Sequence, residues 1–170
     1  SVGYDCRIMG IPKTIDNDLA LTDHCPGFAS AAKYIATSIM EVRRDISVYN
    51  KGSVIIFEIM GRNAGYIALE CGIAVGATGI AVAEIPIDKN ELIERIKRLS
   101  ATGKRHFIVM VSEGMGSVYG EKLTEEIEER TGLETRFARL AHVQRGGTPT
   151  NTDRVVATLM GDKAVDLLLE

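Results

Sequence analysis

Two carboxylates stand two residues apart in the segment GIPKTIDND, at Asp16 and Asp18, with Lys13 and Thr14 just before them. A carboxylate pair at this spacing suits proton abstraction from a hydroxyl by one member, while the other orients it or a divalent cation. Lys13 can neutralise a phosphoryl group in flight, and Thr14 can donate to a phosphate oxygen. The same Asp-Asn-Asp run also reads as an Asx-capped turn. A second segment, MGRNAG, sets Met60, Gly61 and Arg62 before a helix. There the amides of Gly61, Arg62 and Asn63 can hold an anion and Arg62 adds a forked charge; the plainer reading is a turn with Asn63 as N-cap. Glu113 ends an apolar run and can accept hydrogen bonds from hydroxyls. The densest cluster is HVQRGGTPTNTDR, with His142, Arg145 and Arg154 around Gly146 and Gly147. His plus Arg beside a Gly pair suits a phosphomonoester dianion. In the same cluster Thr152 or Asp153 can cap the last helix.

The elements that must position these residues alternate in type. Residues 6–11, 54–59, 79–85, 106–112 and 135–143 read as strands, several of them β-branched and apolar enough to be buried on both faces. Helices are expected from about residue 27, over 64–75, after the cap Asp88 with its box partner Glu91, over 123–131 ending at Gly132, and over 152–168. Arg136 and Arg139 fall in the last strand, where alternation aims only one at a given face. Strands separated by helices make βαβ units. The expected fold is therefore α/β: one doubly wound, mostly parallel sheet over residues 1–170, with helices on both faces. Ligands bind such sheets at the carboxyl ends of the strands, where the four polar, Gly-rich segments fall.

Composition narrows the partners. The chain has 170 residues, 20 Lys plus Arg against 23 Asp plus Glu, and 45% hydrophobic residues, which is ordinary for a folded domain. A net charge of −3 gives no global positive field for nucleic acid, and 5% aromatics without Trp leaves few stacking platforms. The longest charge-free stretch in the apolar middle, residues 71–83, is too short for a membrane-spanning helix, which needs about 20 residues. Cys6, Cys25 and Cys71 form no CxxC pair; they read as free, small buried hydrophobes in a reducing compartment, hence the cytoplasm.

PKTIDND, MGRNAG and HVQRGGTPTNTDR, in this order and spacing, resemble the sugar-phosphate motifs of the phosphofructokinases. The resemblance runs over nearly the whole chain. It implies phosphoryl transfer to the 1-hydroxyl of fructose 6-phosphate, in glycolysis. By resemblance, Asp16 is the general base, Asp18 supports it and the Mg²⁺ region, and Thr14 contacts phosphate. Arg62 lies near the transferring group and the sugar, with Met60 and Gly61 beside it. Glu113 holds sugar hydroxyls, His142 and Arg145 bind the 6-phosphate, and Arg136 reaches the 6-phosphate from a neighbouring subunit. A homodimer or homotetramer follows.

The donor-binding glycine-rich loops of that family lie upstream of residue 1, so the chain is expected to be a piece of a longer protein and inactive by itself. Lys13, where bacterial ATP-dependent members usually carry Gly, and the stretch 22–36 resemble the pyrophosphate-dependent members, which favours pyrophosphate over ATP as donor. A family Arg near Ser53 is missing, with Lys51 nearby. Thr78 and Thr102 stand where bacterial ATP enzymes carry charged groups for an allosteric nucleotide. Two alternatives remain open: a non-catalytic sugar-phosphate-binding module, against which the intact Asp16 and Asp18 count, and a kinase for another phosphosugar such as sedoheptulose 7-phosphate.

Overall fold

The computed structural model describes Gly3 and residues 6–48, 50–85 and 87–170. Among the described residues four parallel strands, β1 (Ser53–Ile59), β2 (Gly79–Ala81), β3 (His106–Ser112) and β4 (Glu134–Arg139), form one sheet in the order β2-β3-β1-β4. Among them also are five helices: α1 (Phe28–Ser47), α2 (Tyr66–Ala74), α3 (Lys89–Ala101), α4 (Tyr119–Thr131) and α5 (Asn151–Leu169). Single 3₁₀ turns, Glu113–Met115 and Ala141–Arg145, follow β3 and β4.

The strand pleat divides the core in two. Ile55, Phe57 and Ile59 of β1 join Ile108 and Met110 of β3 against Phe28, Ile35 and Ile39 of α1 and Ile67 and Cys71 of α2. Val54 and Ile56 join Phe107, Val109 and Val111 against Leu92, Ile93 and Ile96 of α3 and Leu123 and Ile127 of α4. Period-two alternation thus sends successive β1 residues to opposite layers, both apolar. Adjacent strands β1 and β3 therefore release their following helices to opposite faces, α2 to one and α4 to the other. Such a divergence opens a crevice at the carboxyl ends of the two strands.

Several expected boundaries shift. Residues 6–11 form no strand: the sheet ends at β4 on one side and β2 on the other, and neither pairs with this segment. Ile8 and Ile11 are exposed, and Arg7 Nη1 donates to the Leu168 carbonyl at 2.8 Å. The strand expected over 79–85 stops at Ala81, because Val82 and Ile85 bridge antiparallel in a turn that brings Glu84 back toward α2. The strand expected over 135–143 stops at Arg139, since Ala141 takes a left-handed φ of 50° and the chain winds into 3₁₀. Asp88 caps α3 as expected, accepting from the Asn90 and Glu91 amides, and Gly132 closes α4 with a φ of 69°. The last helix, however, is capped by Thr150 rather than Thr152 or Asp153.

Cys25 and Cys71 are buried, whereas Cys6 is exposed, contrary to the expectation of three buried thiols. Burial, reinforced by the charge of Glu70, pushes the Cys71 thiol up to about 12. Only thiolate attacks alkylating reagents. Cys6 should therefore react within minutes at pH 8, while Cys71 stays unmodified until denaturant is added. Peptide mass mapping after timed iodoacetamide quenching reads both sites; early labelling of Cys71 would contradict the packing.

Candidate phosphosugar site

The segment carrying the carboxylate pair is a loop pinned at both ends. Thr14 bridges Gly27 in parallel register. Asp16 donates its amide to Thr14 Oγ1 at 3.1 Å, and Asn17, at a left-handed φ of 56°, accepts from the Cys25 amide at 2.8 Å. Its side-chain amide also donates to the Asp23 carbonyl at 3.5 Å. These bonds fold residues 14–27 back upon themselves and leave Asp16 buried and Asp18 exposed. Asp16 Oδ2 lies 4.0 Å from Arg62 Nε. The two flank a cleft of about 510 Å³ lined also by Lys13, Thr14, Ile15, Asp18, Leu19 and Arg145.

Arg62 reaches this cleft because of a tight turn after β1. Gly61 has a φ of 146°, and a Cβ there would lie 2.3 Å from the Ala64 carbonyl oxygen, so only glycine fits. Arg62 itself sits at a φ of 52°. Its side chain is 76% exposed, against 10% for Asp16. The helix that follows corrects one expectation. Gly65, not Asn63, is the N-cap of α2, and its amide donates to Glu84 Oε1 at 2.6 Å. An internal carboxylate thus already occupies the N-cap amide of this helix, while the Arg62 side chain stays exposed at the first cleft.

The crevice between β1 and β3 holds a second cleft, about 400 Å³, lined by Glu58, Met60, Glu113, Ser117, Arg139, Ala141 and Gln144. Met60 and Glu113 were expected at such a site; Glu58, Arg139 and Gln144 were not. Gln144 is buried and ties two segments together: its Oε1 accepts from the Met60 amide at 3.0 Å, and its Nε2 donates to the Ala141 carbonyl at 3.0 Å. Glu58 is the lone acid in the apolar run VIIFEI, and a charge there needs a partner. Arg139 supplies it through a forked pair, Nε to Oε1 at 2.5 Å and Nη2 to Oε2 at 3.1 Å. That pair raises the guanidinium above its ordinary value, against the lowering effect of desolvation. Of the two strand arginines, Arg139 therefore faces the crevice. Arg136 pairs with Glu134 instead, at 2.9 Å from Nε, and lines none of the clefts described here. His142 is exposed on the turn after β4, beside Arg145.

A third cleft, about 380 Å³, shares Lys13, Ile15 and Arg145 with the first and Gln144 with the second, and continues to Gly147, Asp153 and Arg154. The three are thus parts of one rim. Asp153 anchors it. Rather than capping α5, its carboxylate sits at the N-terminus of α1, accepting from the Ser30 amide at 2.9 Å and from the Ser30 hydroxyl. Ser30 Oγ in turn accepts from the Thr150 amide at 3.0 Å, and His24 Nε2 lies 3.6 Å from Asp153 Oδ1. Desolvation alone would raise the Asp153 carboxyl, but the Ser30 hydroxyl, the Gly27 and Ser30 amides and the His24 charge outweigh it and hold it below the usual range. A carboxylate reaching across from another helix is hard to foresee, because the sequence shows only an Asp near a helix start.

Among the described residues no three His, Cys, Asp or Glu side chains gather as a metal cluster, and no helix is long and apolar enough to cross a membrane. The first cleft nevertheless offers two carboxylates to a cation. Mg²⁺ is commonly held by one or two carboxylates with phosphate oxygens and waters completing its shell, so Asp18, the more exposed of the pair, fits a shared site.

A doubly wound parallel sheet with paired carboxylates, arginines and a lysine on one rim defines an α/β protein with its charged groups gathered at the strand ends. A family model described as Phosphofructokinase matches residues 2–168, and the chain belongs to the phosphofructokinase family. It is 46% identical over 96% of its length to an ATP-dependent 6-phosphofructokinase of Clostridium perfringens, and 45% over 99% to one of Bacillus subtilis. It spans 50% and 51% of those relatives, about half their length. The phosphofructokinase of Saccharomyces cerevisiae superposes with a TM-score of 0.86 at 35% identity, over 93% of this chain and 22% of that one. A pyrophosphate-dependent phosphofructokinase of Nitrosospira multiformis gives 0.81 at 31%, over 98% and 45%.

Because Asp153 is stabilised as the carboxylate, its contribution to stability is full above the unfolded value of about 3.9 and is lost as pH falls through the lower folded value. Asp153→Asn should cost roughly 1–3 kcal/mol of stability at pH 7 through lost hydrogen bonding, lower Tm accordingly, and flatten the acid limb below pH 4. Calorimetry from pH 7 to 3 tests this; an unchanged acid limb would exclude Asp153 as its source.

Proposed function

We propose that the whole protein transfers a phosphoryl group to the 1-hydroxyl of fructose 6-phosphate, and that this chain is its phosphosugar-binding part. The observation that carries the reading is the buried Asp16 against Arg62 in a cleft shared with Lys13 and Arg145, next to the cleft of Met60 and Glu113. Asp16 accepts the proton of the attacking hydroxyl, with the Arg62 guanidinium beside it. Lys13 and Arg62 offset charge on the transferring group, Thr14 contacts it, and Gly61 aims Arg62. Glu113 and Met60 hold the sugar, while His142 and Arg145 bind its phosphate, with Arg136 reaching a neighbouring subunit's site in a homodimer or homotetramer. Mg²⁺ would neutralise phosphate oxygens beside Asp18.

Pyrophosphate is the favoured donor, supported by Lys13 in the cleft; ATP is the second reading, supported by the names of the curated relatives. Apolar side chains left exposed on α5, Val155, Leu159 and Val165, and on the unpaired segment of Ile8 and Ile11 support a further domain portion that covers them and completes the donor site.

In the full-length protein Asp16→Ala should cut kcat by about 10²–10⁴ with little change in KM, the signature of a lost general base. Arg145→Ala should instead raise the KM for fructose 6-phosphate. A coupled assay with pyrophosphate and with ATP reads all three quantities. An Asp16 variant with unchanged kcat and raised KM would make Asp16 a binding residue.

A further inference from the structure

The arginine that faces the crevice is Arg139, and its surroundings explain more than strand pairing. Glu58 and Arg139 are register partners on adjacent parallel strands. The Arg139 fork closes on both Glu58 oxygens, its Nη2 also donates to the Ser117 carbonyl at 3.1 Å, and Glu121 lies 3.8 Å away. The guanidinium rests over the Phe137 ring, 5.2 Å from its centroid. Five contacts, from β1, β4, α4 and the loop before α4, thus hold one planar cation in one orientation.

The charge balance of the cleft gives this a functional sense. Its described lining carries two carboxylates, Glu58 and Glu113, and one cation, Arg139. Glu58 is only 12% exposed at its side chain, so an unpaired charge there would act across the cleft with little solvent screening. A phosphosugar is an anion, and two uncompensated carboxylates would repel it.

We propose that Arg139 is a specificity-determining residue of the phosphosugar cleft: it neutralises Glu58 and holds it against the strand wall, so that Glu113 alone is free for sugar hydroxyls and an anionic sugar is admitted. This rests on the phosphosugar reading above. The role is electrostatic and positional; Arg139 takes no part in proton or phosphoryl transfer.

The test compares full-length wild type, Arg139→Leu, Arg139→Lys and the double variant Glu58→Gln with Arg139→Leu. Steady-state kinetics with fructose 6-phosphate is measured at low and high salt, with equilibrium dialysis of the same phosphosugar alongside. Arg139→Leu should raise KM roughly 5- to 20-fold at nearly constant kcat, with the rise shrinking at high salt. Arg139→Lys, which keeps the charge but not the fork, should fall between. The double variant should return KM to within about threefold of wild type, because it removes the stranded charge. A purely structural role would instead lower Tm without a salt-dependent KM and without rescue.

An unchanged KM in a folded Arg139→Leu protein overturns the proposal while active wild type sustains the functional reading. So does failure of the double variant to recover. If Arg139→Leu does not fold, the lysine and double variants decide by the same criteria. Wild type that turns over no phosphosugar but retains it in dialysis overturns the kinase reading alone, and retention by the variants then judges Arg139. Wild type that neither turns over nor retains phosphosugar overturns both.

Discussion

The placement of β1 at the centre of a sheet buried on both sides constrains nearly everything else. Its residues alternate between two apolar layers, so neither layer can be lost without exposing β1. The neighbouring strand β3 sends its helix to the face opposite α2. The backbone at the two strand ends must therefore part, and the gap is where chemistry can be placed. Met60, Gly61 and Arg62 leave from one lip and Glu113 from the other. A polar side chain at these positions faces a crevice for topological reasons, whatever its neighbours in sequence.

A crevice made of loops needs ties, because loop backbone away from a ladder must find partners elsewhere. Gln144 supplies one, joining the amide after β1 to the turn after β4. Asp153 supplies another, joining α5 to the unsatisfied amides at the start of α1. Asn17 closes the loop that carries Asp16. Each tie uses a buried or half-buried polar group with amide or hydroxyl donors, the kind of contact that is costly to leave unmade. Together they hold three clefts in register along one rim. The strained backbone at Gly61, Arg62 and Ala141 lies where the chain must turn sharply between a strand and this rim.

Much of this was legible beforehand, and the reasons differ by element. The runs at 54–59 and 106–112 read correctly because β-branched residues without polar interruption suit strands covered on both faces. The helices read well where apolar spacing and caps agreed, as at Asp88 and Gly132. Residues 6–11 misled because the same apolar pattern needs a partner strand, and none of the described strands pairs with it. The strands expected over 79–85 and 135–143 were overlong because Glu84 and Gln144 demand turns that local propensity does not reveal. The site motifs were recognised as groups, yet Glu58 and Arg139 were not joined, although the lone acid in VIIFEI signalled that some cation must meet it.

The amino-acid sequence by itself determined the alternation of strands and helices, the polar segments at strand ends and membership in the phosphofructokinase family, because hydrophobic periodicity and short motifs are local and survive without knowing the partners. Only the tertiary structure decided which arginine faces the crevice, which carboxylate occupies the N-terminus of α2, and that Asp153 serves α1 rather than its own helix. Those outcomes depend on strand register and on which helix ends approach each other. They are distances between residues far apart in the chain, and no local pattern encodes them.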